Sequence, residues 1–139
     1  MPKKLLLFFA AAVTTLLLCA AEAPRSLKDG VFSPEQVARG KKSYEAECAD
    51  CHGEKLEGID KAPALVGATF AKNWNGKTVF RLIDITRRNM PPDDPGTYKR
   101  ELIADVSAYI LSENGFPAGK ADLLHDAPDL RQILIYLRK

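Results

Sequence analysis

The sequence predicts a small all-α protein with three main helices, irregular loops between them and a short extra helix near the C-terminus. Apolar residues recur at helical spacing in three separate stretches, and each stretch is bounded by capping residues or helix breakers. No stretch has the alternation and tight turn of a β-hairpin. The length of 139 residues suits one domain.

The first 21 residues predict an export signal and not part of the fold. Residues 2–4 include two lysines, residues 5–18 are apolar, and residues 19–23 are mostly small. We therefore expect a signal peptide over residues 1–21, cleaved after Ala21, and a periplasmic protein. The alternative is an uncleaved membrane anchor, because residues 5–21 are uncharged and approach the length that spans a bilayer.

The charge balance gives no sign of a nucleic-acid partner. The formal net charge is +2, and removing residues 1–21 takes away two of the 20 basic residues and none of the 18 acidic ones. The rest of the chain is therefore neutral and has no basic stripe, which argues against nucleic-acid binding. In an oxidising compartment, Cys48 and Cys51 are expected to form a disulfide or to react with something else.

The first main helix begins at a strong capping signal. Residues 22–32 are predicted to be a linker, and a domain is predicted over residues 33–119. Ser33 can cap the helix and Pro34 suits its first turn, so we expect a helix as far as about Cys48. Residues 53–75 have no sustained periodicity, which predicts a loop with at most one short turn of helix. A loop of this length is expected to wrap around something.

Two further main helices follow the loop. Thr78 can cap the second, which ends before Met90 because two prolines come next. The third is predicted from about Lys99 to Ser112, and Asn114 and the following glycine close it.

Residues 120–139 are predicted to be a C-terminal extension. Residues 126–129 have the composition of a helix cap, and a short helix is expected to carry Leu130, Ile133, Leu134 and Leu137 on one face. We expect this helix to pack outside the core.

One motif dominates the chemistry of the chain. Residues 48–52 have the pattern C-x-x-C-H, which is the attachment signature of a c-type haem. Two thiols three residues apart at a helix end can each form a thioether with one vinyl group of the same porphyrin. Cys48 and Cys51 are therefore predicted to hold one covalent haem c. His52, beside the second thiol, is predicted to ligate the iron.

Cysteine pairs with this spacing also occur in redox sites and in zinc sites. A thioredoxin-like redox pair also has C-x-x-C, but that fold needs βαβ patterning and this chain has helices and loops. A zinc site would recruit Cys48, Cys51, His52 and His125, and adjacent Cys51 and His52 fit poorly into one tetrahedron.

The second axial ligand of the iron is predicted by elimination. Met90 is the only methionine left once the signal is removed, and Pro91 and Pro92 stiffen the turn that follows it. A stiff turn suits a weak thioether–iron bond. The competitor is His125, which would give a bis-histidine haem, but it lies in a polar segment beyond the last main helix.

With these residues, the chain resembles the class I c-type cytochromes. Gly40, Tyr44 and Cys48 follow one another at four-residue intervals, as do the glycine, the aromatic residue and the first haem cysteine of that family. The resemblance implies a cytochrome c-like fold wrapped around one haem. It also implies that the glycine lets the C-terminal helix cross closely and that the aromatic ring packs on that helix, where Val106 and Tyr109 match.

The loop after the motif extends the resemblance. Its glycines, with Leu56, Pro63 and Leu65, are similar to the family's loop around the haem, in which a proline carbonyl accepts the other N–H of the proximal histidine. This implies that role for Pro63 and a pocket position for Leu65. Trp74 departs from the best-known tryptophan position of the family, so its role is either a hydrogen bond to a haem propionate or packing.

The resemblance implies a one-electron carrier and not an enzyme. With His52 and Met90 both on the iron, no position remains for a substrate, and Met/His ligation raises the reduction potential. Residues 89–119 resemble bacterial monohaem cytochromes that accompany quinoprotein dehydrogenases or respiratory enzymes. The implied partners are redox proteins, either a dehydrogenase or a terminal oxidase, with a membrane involved only if the N-terminal segment is retained.

Two alternatives to the electron carrier stay open on the sequence. One is a peroxidase-like haem enzyme or sensor, in which Met90 is labile or absent from the iron. The other is a structural module without haem, in which Cys48 and Cys51 form a disulfide.

Overall fold

The computed structural model describes residues 26–137, and this part of the chain contains five α-helices and no strand. None of these helices has the length and apolar character needed to cross a membrane. The predicted signal peptide lies outside the described residues. Short 3₁₀ turns stand near the two ends, at Leu27–Asp29 and Pro128–Arg131. The α-helices are α1 (Pro34–Glu47), α2 (Ala49–His52), α3 (Gly67–Trp74), α4 (Val79–Asn89) and α5 (Arg100–Glu113).

The three main helices confirm the sequence prediction, and two of them begin at the predicted caps. The Ser33 hydroxyl accepts the backbone N–H of Gln36 at 3.0 Å and starts α1. The Thr78 hydroxyl accepts the N–H of Arg81 at 3.2 Å and starts α4. Each bond satisfies an N–H that has no partner within its helix.

Helix α3 is longer than the single turn predicted for this region. Its N-cap, Val66, makes no side-chain hydrogen bond, so no capping signal marks its start in the sequence. Phe70 is completely buried and its ring lies 6.2 Å from that of Trp74. Tertiary burial of one apolar face therefore stabilises a helix too short to be marked by its own periodicity.

Helices α1 and α5 cross at Gly40, which confirms the close crossing that the family resemblance implied. A Cβ atom at Gly40 would lie 1.9 Å from the backbone oxygen of Asp105. One turn further along α1, the ring of Tyr44 packs on that of Tyr109, with the ring centroids 5.5 Å apart. Val106 is buried in the same core.

The segment before α1 differs from the linker predicted over residues 22–32. Within its described part, Leu27, Val31 and Phe32 are buried, with at most 1% of each exposed. The backbone also crosses the start of the extension, where the N–H of Gly119 donates to the oxygen of Phe32 at 2.7 Å. These residues belong to the core because three apolar side chains within six positions lose their contact with water together.

The prediction that the extension packs outside the core is wrong. Leu123, Leu130, Ile133 and Ile135 are buried with the core of the main helices. The predicted helix is one 3₁₀ turn at Pro128–Arg131, and the chain then runs alongside the start of α4. There the N–H of Val79 donates to Ile133 and the N–H of Ile135 donates to Lys77, both at 2.9 Å. In this extended segment neighbouring side chains point to opposite sides, so Leu134 is exposed instead of sharing one face with Leu130 and Ile133 as the predicted helix required.

Candidate haem site

The C-x-x-C-H segment lies at the junction of α1 and α2. Cys48 ends α1 and precedes α2, so the two thiols and His52 are carried on a tight helical turn. The N–H of His52 donates to the oxygen of Cys48 at 2.9 Å. Cys51 is exposed, Cys48 is half-buried and His52 is buried. The motif therefore presents one thiol at the surface and places the imidazole inside.

The imidazole of His52 is oriented by the loop that follows it. Its Nδ1 lies 2.9 Å from the backbone oxygen of Pro63, the residue that the family resemblance implied for this contact. A carbonyl only accepts hydrogen bonds, so Nδ1 carries the proton. The Nε2 atom of neutral His52 consequently has a free lone pair, which is the form that binds a metal ion.

Close backbone approach brings Pro63 to His52. The N–H of Gly58 donates to the oxygen of His52 at 2.7 Å, and Gly58 has φ +78°. A Cβ atom at Gly58 would lie 2.5 Å from the nitrogen of Ala64 and 2.9 Å from the carbonyl carbon of Pro63. Only glycine leaves room for the loop at this point.

Tyr44 fixes the other side of the motif. Its hydroxyl donates to the oxygen of Gly53, the residue after His52, at 2.7 Å. Burial raises the pKa of Tyr44 above its usual value, with Cys48 and Tyr109 adding to the effect. The phenol therefore stays protonated and keeps donating at neutral pH.

The two thiols do not have the properties of a redox pair or of a metal cluster. They are not joined in a disulfide, and burial raises the pKa of Cys48 to about 11, whereas reactive cysteines have a lowered pKa. Between residues 26 and 137, no three His, Cys, Asp or Glu side chains are grouped to hold a metal ion. The donor set fits a haem, which brings its own iron and needs from the motif two thiols and one imidazole.

Met90 lies at the C-terminal cap of α4 and is half-buried. Its N–H donates to the oxygen of Thr86 at 2.9 Å, and its own oxygen accepts the N–H of Gly96 at 3.3 Å. The backbone of Met90 is therefore held at both ends, by the last turn of α4 and by the loop that follows.

The apolar side chains around these elements are incompletely covered. Five of them pack against the core but stay partly buried, and they come from the loop, from α3, from the segment that leads into α5 and from α5 itself. Partly covered apolar side chains fit a group that supplies the missing contacts, as a porphyrin does. Trp74 also lies under a cation, with Lys77 Nζ 5.4 Å from its ring centre. The five are Leu65, Val66, Trp74, Tyr98 and Leu102.

His125 lies beside the start of α5. Its Nε2 is 3.6 Å from a carboxylate oxygen of Glu101, and it lines a cavity of about 220 Å³ with Arg87, Arg100 and others. Its Nδ1 is buried without a hydrogen-bond partner. These surroundings include the two cationic side chains of Arg87 and Arg100.

Asn114 is a residue whose contact with the loop the sequence does not reveal. Its Nδ2 donates to the oxygen of Leu65 at 2.9 Å, and its Oδ1 accepts the N–H of Gly67 at 3.2 Å. Asn114 therefore ties the end of α5 to the chain just after Pro63. Its position after a helix indicated only a cap.

The all-helical fold, the close helix crossing and the C-x-x-C-H turn together define a class I c-type cytochrome domain. The chain belongs to the family described as cytochrome c oxidase, cbb3-type, subunit III, whose family model matches residues 35–110. The matched segment contains the motif, Pro63 and Met90. No curated protein sequence matches the chain.

A solved structure supports the same class. The chain is similar to the crystal structure of the sulfane dehydrogenase SoxCD from Paracoccus pantotrophus, with 25% sequence identity and a TM-score of 0.52. The similarity covers 83% of this chain and 62% of that chain. The chain thus spans less than two thirds of the matched one.

The function follows from the family. Cytochrome c domains hold haem c covalently and act as electron-transfer modules, and this chain contains such a domain by its family. Cys48 and Cys51 are positioned as the motif requires. Cytochrome c domains are generally exported to the periplasm.

Proposed function

We propose that Cys48 and Cys51 would hold a haem c through two thioethers and that His52 and Met90 would ligate its iron. The observation that carries this proposal is the geometry of His52, whose Nδ1 is committed to Pro63 at 2.9 Å and whose Nε2 is free. A histidine held in this tautomer can bind iron without first losing a proton or a competing partner.

Met90 is the distal ligand in this proposal because its backbone is fixed and its thioether suits ferrous iron. Bound haem c supplies a one-electron iron couple, and Met/His ligation raises its reduction potential. Together with His52, Met90 would leave no open position on the iron for oxygen, peroxide or a substrate. Leu65 and Trp74, which are partly buried against the core, would line the haem pocket.

Visible spectroscopy of the haem-loaded protein tests the ligand assignment. The native protein is expected to be low-spin and to show the methionine–iron charge-transfer band in the ferric state. Met90→Ala is expected to lose this band, and His125→Ala, the matched control for the competing ligand, is expected to keep it. A high-spin native spectrum, or loss of the band in His125→Ala alone, would overturn the assignment.

Mass spectrometry tests the attachment. The intact protein is expected to keep one haem after denaturation, since two thioether bonds do not break on unfolding. Cys48→Ala and Cys51→Ala are each expected to retain at most one thioether. The double variant Cys48→Ala/Cys51→Ala is expected to lose its haem on denaturation, and haem that it still holds covalently would contradict attachment at these two thiols.

We further propose that the chain is exported to the periplasm after cleavage behind Ala21, and that its partner is a dehydrogenase or a terminal oxidase. The export pattern of residues 1–21 and the names of the matching family and structure support this. The predicted division into a domain over residues 33–119 and an extension over 120–139 stays part of this proposal.

N-terminal sequencing of the protein from a periplasmic fraction tests the export step, and a first residue of Glu22 is expected. Oxidation of the reduced protein by purified cbb3-type oxidase, or its reduction by a quinoprotein dehydrogenase, tests the partner class. A full-length protein that stays with the membrane would instead indicate an anchor.

A further inference from the structure

The loop between α4 and α5, which carries Met90, is closed mainly by bonds to itself and to α4. The N–H of Gly96 donates to the oxygen of Met90 at 3.3 Å, and the N–H of Asp94 donates to the oxygen of Pro91 at 3.2 Å. The Thr97 hydroxyl donates to the oxygen of Asp94 at 2.9 Å. These bonds shape the loop without attaching it to the segment that carries the C-x-x-C-H motif.

Tyr98 connects this loop to the segment that carries the C-x-x-C-H motif. Its hydroxyl donates to the backbone oxygen of Glu47 at 3.3 Å. Glu47 is the last residue of α1 and directly precedes Cys48. Carbonyls in the last turn of a helix lack a partner within it, so the phenol satisfies a group that would otherwise need water.

The Tyr98 ring is itself held in place. It is half-buried and packs against the core, and it stands two residues before α5, the helix that crosses α1. Burial raises the pKa of Tyr98 to about 12, with Glu47 and Cys48 adding to the effect, so the hydroxyl stays protonated at neutral pH. The Tyr98 hydroxyl is therefore a donor at neutral pH, and packing places its ring beside the end of α1.

We propose that Tyr98 is a positioning residue that latches the Met90 loop to the haem-attachment segment and thereby keeps Met90 on the iron. This inference rests on the proposed ligation by Met90. A methionine–iron bond is weak, so the fraction of molecules with an open loop decides how readily an outside ligand replaces Met90. Loss of one hydrogen bond is expected to increase that fraction about threefold to tenfold.

Imidazole binding to the ferric, haem-loaded full chain tests the latch, because imidazole competes with Met90 for the iron. Tyr98→Phe keeps the ring and removes the hydroxyl. It is expected to bind imidazole about threefold to tenfold more tightly and to keep the methionine–iron band when no imidazole is present. Tyr136→Phe is the matched control, because Tyr136 is exposed on the extension, and its affinity is expected to equal that of the native protein.

A second variant separates the latch from a general loss of stability. Leu123 is a buried residue of the extension that contacts Gln36 at the start of α1, the end of the helix opposite Glu47. Leu123→Ala is expected to lower stability to urea without changing imidazole affinity. Equal affinities in Tyr98→Phe and the native protein would overturn the latch, as would an equal rise in Leu123→Ala. A native protein without the methionine–iron band would instead refute the ligation by Met90.

Discussion

At the scale of single residues, the orientation of His52 depends on the space that Gly58 leaves for the loop. The carbonyl of Pro63 reaches Nδ1 of His52 because the backbone of residues 62–64 packs directly on Gly58. Gly76 offers a comparison, since it has the same φ of +78° but no atom within 4 Å of where its Cβ would lie. The two glycines therefore separate backbone strain from steric contact.

Gly58→Ala is expected to destabilise the haem-loaded protein by about 2–4 kcal/mol, combining left-handed strain with overpacking against Pro63. Gly76→Ala is expected to cost about 1–2 kcal/mol, from strain alone. Urea unfolding measures both losses, and NMR of the His52 Nδ1 proton is expected to show faster exchange with water in Gly58→Ala than in the native protein. Equal losses in the two variants would show that contact with the Pro63 loop contributes nothing.

At the scale of elements, the crossing of α1 and α5 is set by one residue on each helix. Gly40 brings the backbone of α1 against Asp105, and Tyr44 and Tyr109 fill the space one turn away. In an isolated helix, alanine is more favourable than glycine by about 1 kcal/mol. The crossing reverses that preference because a Cβ atom has no room.

Gly40→Ala is therefore expected to lose about 2–4 kcal/mol of stability, although it raises helix propensity. The control is Lys42→Ala on the exposed side of the same helix, with an expected change within about 0.5 kcal/mol. Thermal and urea unfolding measure the two variants. A stabilised Gly40→Ala protein would mean that the helices can separate freely at this point.

Ion pairs connect α1 to the extension and predict a dependence on pH. Asp122 accepts hydrogen bonds from the Ser33 hydroxyl and the Arg39 guanidinium, which lower the pKa of its carboxyl. Because the pKa is lower in the folded state, ionised Asp122 contributes its full stability above the unfolded value of about 3.9. That contribution is lost as the pH falls through the folded-state pKa.

Asp122→Asn is expected to be less stable than the native protein at neutral pH, by at most about 1 kcal/mol because the pair is largely exposed. The difference between the two proteins is expected to shrink as the pH falls below about 4. Urea unfolding at a series of pH values measures it. A difference that stays constant down to the lowest pH would contradict the role of the ionised carboxyl.

The elements that sequence patterns predicted are those with signals local to the chain. The caps at Ser33 and Thr78 and the C-x-x-C-H motif each depend on residues within five positions, so they are visible without the fold. The hydrogen bond from Tyr98 to Glu47 joins residues 51 positions apart, and the one from Asn114 to Leu65 joins residues 49 positions apart. A polar side chain carries no local sign of a distant carbonyl partner, so those contacts could not be predicted.

At the scale of the whole molecule, the extension completes the core by crossing two parts of the chain that are far apart in sequence. Leu123 lies against the start of α1, where its backbone N–H and oxygen both bond to the side chain of Gln36. Further along, Ile133 and Ile135 pair with the residues that start α4. The extension therefore contacts the start of α1 and the start of α4.

Neighbouring residues of the extension test whether it is part of the core. Ile133 is 1% exposed and Leu134 is 38% exposed, and the two point to opposite sides of the same segment. Ile133→Ala keeps the backbone bond to Val79 and is expected to lose about 2–4 kcal/mol in urea unfolding, because it leaves a cavity. Leu134→Ala is expected to lose less than about 1 kcal/mol, since water already reaches that side chain. Equal losses in the two variants would contradict the packing of the extension into the core, because only the buried Ile133 side chain leaves a cavity when it is removed.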